Sequence, residues 1–137
     1  MIQAFSINIQ TYGEKLYEIT DEVISKLREI DFDSGHCNLF IQHTSASLLI
    51  QENADPSAKY DLEKWISRFI PINDPNYTHV DEGPDDMPSH IKSAITQTSI
   101  TIPFIDGELM LGTWQGIYLW EHRTARHQRR ILVSFVG

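Results

Sequence analysis

Period-two alternation of apolar residues occupies both ends of this 137-residue chain, and a helical stretch interrupts it in the middle. Cys37, Leu39 and Ile41 alternate with Asn38, Phe40 and Gln42; Ile100, Ile102 and Phe104 alternate with Ser99, Thr101 and Pro103. A strand with one buried face reads this way, because successive side chains point to opposite sides of a sheet. Between them, Leu62, Trp65, Ile66, Phe69 and Ile70 form one apolar stripe at helical spacing. Asp55-Pro56 starts that helix, with Asp as N-cap and Pro in the first turn, and Pro71 ends it. Val23, Ile24, Leu27 and Ile30 mark an earlier helix entered through Thr20, and Met87, Ile91, Ala94 and Ile95 a later one entered through Asp86 and Pro88. The C-terminal third returns to strands at Glu108–Gly112, Ile117–Trp120 and Ile131–Val136, with Asp106-Gly107 as a hairpin turn. The layout predicts a single α+β domain over 1–137, a mostly antiparallel β-sandwich with about three helices.

Charge narrows the choice of partners. Nineteen acids against eleven Lys and Arg leave a net charge of −8, which argues against nucleic acid. No apolar run is long enough to span a membrane, and no basic, apolar leader opens the chain. The single cysteine, Cys37, forms no internal disulfide and alternates with core residues, so it reads as a buried strand residue in a reducing compartment. These features predict a cytoplasmic protein.

Three of six histidines stand where a ligand is plausible: His43 after the Leu39–Ile41 strand, His79 in the acidic 73–88 loop, and His90 in the third helix. Imidazoles from separate elements with an open position are a common way to hold catalytic zinc. Asp86 lies four residues before His90, on the same helical face. Asp74, Asp81 and Glu82 add oxygen donors suited to a hard cation. Four of the six arginines fall within Arg123–Arg130, which reads as a hairpin loop able to fork onto phosphate oxygens. Gly107–Thr113 lacks the lysine and the strand-to-helix setting of a P-loop. Gly112 and Gly116 instead indicate close backbone approach, with Trp114 and Gln115 able to contact a flat heterocycle.

Taken in order, Gln42-His43-Thr44-Ser45-Ala46, Glu52-Asn53-Ala54-Asp55-Pro56, His79…Glu82-Gly83, Asp86-Met87-Pro88-Ser89-His90-Ile91-Lys92-Ser93, Gly112-Thr113-Trp114-Gln115-Gly116-Ile117, Glu121-His122-Arg123 and Arg129-Arg130 resemble the YjbQ-like family of secondary thiamine-phosphate synthases. Phe104 and Ala125–Gln128 depart from that pattern. The resemblance implies a homotrimer with a site near subunit boundaries, a metal on His43, His79 and His90, and weak thiamine-phosphate synthase activity. That reaction joins a pyrimidine methyl diphosphate to a thiazole phosphate and releases pyrophosphate.

Two expectations follow. In the first, the protein is a metal-dependent transferase of a small phosphorylated heterocycle. Glu82, Asp86 and Gln115 then assist catalysis, and Asn53, Trp114, Arg123 and Arg130 contact substrate. In the second, it is a non-catalytic metal- or anion-binding homotrimer. Imidazoles favour zinc, and the carboxylates permit magnesium with substrate.

Overall fold

A computed structural model describes residues 1–137. Its elements run β1 (Ile2–Tyr12), β2 (Lys15–Glu18), α1 (Thr20–Leu27), β3 (Gly35–Ile41), β4 (Ala46–Glu52), α2 (Pro56–Phe69), α3 (Asp86–Ile95), β5 (Ser99–Ile105), β6 (Glu108–Leu109), β7 (Gln115–Glu121) and β8 (Arg126–Val136). The strands form an antiparallel five-stranded sheet, ordered β1-β8-β3-β5-β6, and a three-stranded sheet, β2-β7-β4. The alternating residues do what their period dictates. Cys37, Leu39, Ile41, Ile100, Ile102 and Phe104 all point into one core with Leu48, Ile117 and Leu119 of the small sheet. Val23 and Leu27 of α1 close the side of that core.

β7 is apolar on both faces because it is covered twice. Ile117 and Leu119 enter the sandwich core, while Tyr118 and Trp120 pack with Leu16, Ile66 and Ile70, beside Ile91 of α3. The layers are therefore large sheet, small sheet, then helices α2 and α3. Nothing within the chain covers the outer face of the large sheet.

Several local expectations change. The α2 stripe is only partly inward: Ile66 and Ile70 are buried, but Trp65 and Phe69 are exposed and stack on each other at 5.2 Å. The small sheet is too narrow to reach the whole stripe. Thr20 does not cap α1; its hydroxyl donates to Glu18 and accepts from the Ile117 amide, tying the helix to the small sheet. Cys37 is fully buried, and burial pushes its thiol up to about 12, which makes it inert. Asp106 and Gly107 both have positive φ, 52° and 77°, as a two-residue hairpin turn requires.

The Arg123–Arg130 segment is not a hairpin loop. β7 and β8 belong to different sheets, and β8 already begins at Arg126. Strand alternation then scatters the arginines: Arg129 points inward and is buried, while Arg126 and Arg130 point outward. The anticipated single basic patch is absent.

Candidate functional site

The donor residues converge from two elements. Asp86 and His90 lie one turn apart on α3, and His79 approaches from the loop before it. The carboxylate of Asp86 is the hub: its Oδ2 lies 2.6 Å from His79 Nε2 and 3.1 Å from His90 Nε2. One donor atom from each residue falls within 4.8 Å of the others. Glu82 stands at the edge, 3.9 Å from His79 Nε2.

The second nitrogen of His90 decides its state. Nδ1 lies 2.9 Å from the Thr44 carbonyl, which can only accept, so Nδ1 carries the proton. A neutral His90 therefore turns a bare Nε2 lone pair toward the Asp86 oxygen. Two acceptors face each other, and the contact requires a positive charge, either a second proton or a metal ion. A ring N–H fixed on a backbone carbonyl is also how metal-bound histidines are oriented.

Asp86 is almost fully buried, yet it stays ionised. Burial pushes its carboxyl up, but the His79 hydrogen bond and the charges of His90 and Arg123 hold it below the usual carboxylate range. Arg123 supplies the structural half of this arrangement. It donates from Nη1 to Asp86 at 2.5 Å, from Nε to Asp85 at 2.9 Å and from Nη2 to the Glu82 carbonyl at 3.0 Å. Its guanidinium thus fixes Asp86 and the 82–86 segment instead of standing open to an anion. Asp85, just before α3, accepts from Arg123 and from the amide and hydroxyl of Thr124.

His43 lies outside the donor group. Its Nε2 accepts the Arg130 amide at 2.8 Å, and its Nδ1 faces Arg129 at 3.4 Å. A neutral ring can accept one of these two N–H donors, whereas an imidazolium could accept neither. Burial first, and then the Arg129 charge, lower its pKa. His43 and His90 do share an open cleft of about 490 Å³ with Thr44, Ser93, Ala94 and Thr98. Arg130 is exposed and donates to Ser6 on the outer face of the sheet.

Asn53, Trp114 and Gln115 gather elsewhere. Glu52 pairs with Gln115 at one end of the β4–β7 ladder, and Ala46 pairs with Glu121 at the other. Six residue steps separate the ends, about 20 Å at a strand's rise. Within one chain this cluster cannot touch what the histidines touch. Asn53 bonds Glu18, Gln115 accepts the Gly112 amide, and Trp114 is exposed. The close approach at Gly116 is real: a Cβ there would sit 2.7 Å from a Glu18 carboxylate oxygen.

Two polar residues that stand in the sequence motifs without an expected role underlie the site. Glu121 is fully buried and Arg129 nearly so, paired through two hydrogen bonds of 2.5 and 2.7 Å. Strand parity is the signal in the sequence that could have found them, since Glu121 shares a face with Ile117 and Leu119, and Arg129 with Ile131 and Val133.

An antiparallel α+β sandwich with a His–Asp donor group at the mouth of a cleft defines the class. The UPF0047 protein YjbQ-like family matches residues 5–137, and the chain belongs to that family. It is 45% identical to a UPF0047 protein of Synechocystis, covering 94% of this chain and 88% of the relative. It is also 45% identical to the UPF0047 protein YjbQ of Escherichia coli O157:H7, covering 96% of each. A YjbQ/UPF0047 crystal structure from Clostridium acetobutylicum superposes with a TM-score of 0.88 at 29% identity, over 96% of this chain and 99% of the other. A conserved hypothetical protein from Thermus thermophilus gives a TM-score of 0.86 at 29% identity, over 96% and 99% of the two chains.

Proposed function

We propose that the protein is a metal-dependent transferase acting on a small phosphorylated heterocycle, with thiamine-phosphate synthase chemistry as its reaction. The supporting observation is His90 Nε2 turned onto the buried Asp86 carboxylate while its Nδ1 is engaged by the Thr44 carbonyl, a contact that calls for a cation or a second proton. His79, Asp86 and His90 would hold a divalent cation, with zinc suited to the two imidazoles. Such an ion supplies positive charge against the growing charge of a departing diphosphate. Thr44 and Thr98 offer hydroxyl donors to phosphate oxygens in the cleft, the Ser93 hydroxyl already donates to the Ala46 carbonyl, and neutral His43 borders the cleft without adding charge. Arg123 keeps Asp86 ionised and aimed, and Glu82 is the carboxylate nearest His79 after Asp86. Turnover of both thiamine precursors with added zinc or magnesium tests this reading. It expects product from the wild type and a loss of ~100-fold or more in His90→Ala, equivalent to ~2.7 kcal/mol of transition-state stabilisation. Turnover unchanged by that substitution would sink it.

A second reading, a cation-binding homo-oligomer without catalysis, draws support from the bare face of the large sheet. Phe40 and Leu132 sit opposite each other there, as do Ile2 and Val136, and all four are exposed. None of the outward residues on β1, β8, β3 and β5 is acidic, although the chain carries nineteen acids. Several of the polar ones are already engaged: Asn38 donates to Ser99 and Thr101, and Arg130 to Ser6. Strands ~4.8 Å apart with outward residues every ~6.8 Å make a face on the order of 500 Å². A standard interface takes roughly 800 Å² of accessible surface from each partner. Light scattering is expected to give a multiple of the 15.8 kDa chain for the wild type and a single chain for Phe40→Asp/Leu132→Asp. An unchanged mass in the double variant would show that this face is free.

A further inference from the structure

The donor group is held from two sides, and both holds lead back to one buried pair. The carboxylate of Glu121 accepts from the Thr11 hydroxyl at 2.6 Å and from the backbone amides of His122 and Arg123, each at 3.1 Å. It also accepts Arg129 Nε and Nη2, at 2.7 and 2.5 Å. The Arg123 amide places the start of the side chain that reaches Asp86. On the other side, Arg129 Nη2 donates to the Ser45 carbonyl at 3.2 Å and to the Ser45 hydroxyl at 2.9 Å. Ser45 adjoins Thr44, whose carbonyl fixes the His90 ring. One end of the pair thus sets Asp86 through Arg123, and the other sets His90 through the 43–45 turn.

A buried ion pair is a poor way to gain stability, because desolvating both charges offsets most of their attraction. It is a good way to fix geometry, since a carboxylate with five donors and a forked guanidinium tolerates little displacement. We infer that Glu121 and Arg129 are positioning residues, which hold His90 and Asp86 in mutual register for a cation without touching it. This inference rests on the proposed cation reading.

Zinc titration of the full chain by calorimetry tests it, with thermal unfolding measured in parallel. Glu121→Gln keeps the shape but removes the charge, and Arg129→Lys keeps the charge but removes the fork. Each is expected to weaken zinc binding tenfold or more, the usual effect of losing a residue that orients metal ligands. Glu14→Gln serves as the reference. It breaks a separate ion pair, part-exposed Glu14 with buried Lys92 at 2.7 Å, which makes no hydrogen bond to the donor residues. It is expected to lower the melting temperature and leave zinc affinity alone. The Arg129→Lys protein keeps the test open if Glu121→Gln does not fold. Wild-type affinity within twofold in either folded variant overturns the positioning role while leaving the cation reading intact. A wild type that binds no zinc overturns both.

Discussion

Titrated with zinc, the Asp86→Ala protein is expected to bind the ion ~100-fold more weakly than the wild type, a change of ~2.7 kcal/mol. The reason is electrostatic as much as geometric. Asp86 is the only residue in contact with both imidazoles, and its other oxygen is neutralised by Arg123. Without the carboxylate, a cation would meet two neutral rings with the Arg123 guanidinium behind them, which repels it. Asp86→Asn separates the two effects. It keeps the shape and loses the charge, so an equal loss assigns the effect to charge. Calorimetry near neutral pH, with circular dichroism to confirm the fold, reads both variants. Tight binding by Asp86→Ala would mean that the ion, if present, sits elsewhere.

The second large effect concerns pH and a residue outside the donor group. His122 is buried and shares a 2.9 Å hydrogen bond between its Nε2 and the Ser47 hydroxyl. Burial first, then the charges of Lys92 and Arg129, push its imidazole from 6.5 down to about 3. Between those values the unfolded chain takes up a proton that the native ring refuses. Native stability therefore rises with pH across this window. The contribution is fully present above pH 6.5 and is lost as pH falls toward 3. At about 1.36 kcal/mol per unit, the loss is on the order of 5 kcal/mol. Glu121 and Asp85 also have lowered pKa values, each pushed up by burial but pulled lower still by its hydrogen bonds, and their contributions begin to fade as pH falls below ~5. Urea unfolding between about pH 5 and 6.5 stays above the carboxylates, and comparison with His122→Gln separates His122 from His43, whose pKa is also lowered. The wild type is expected to lose stability steeply there, and His122→Gln, which can keep the Ser47 bond, to lose much less. Parallel slopes would contradict a buried neutral His122.

Much of the fold is legible in the sequence because period and burial coincide. Leu39, Ile102 and Phe104 alternate since each belongs to a strand with one face in the core. β7 is harder, because coverage on both faces erases alternation. The arginines of 123–130 mislead for a different reason. Their clustering in sequence says nothing about whether they share a face, and the strand beginning at Arg126 separates them. At the site, helical spacing alone pairs Asp86 with His90. His79 joining them, and His43 standing apart on the Arg130 amide, depend on how a long loop and a strand end pack. The distance between Trp114 and the histidines follows from the β4–β7 register, which no local motif reveals.

Whether His79, Asp86 and His90 hold a cation is the central question. Elemental analysis of purified, zinc-exchanged protein, with zinc counted against chain, measures it most directly. About one zinc per chain is expected in the wild type and none in His79→Ala/His90→Ala. A wild type that remains zinc-free after exchange against micromolar zinc would contradict the cation reading.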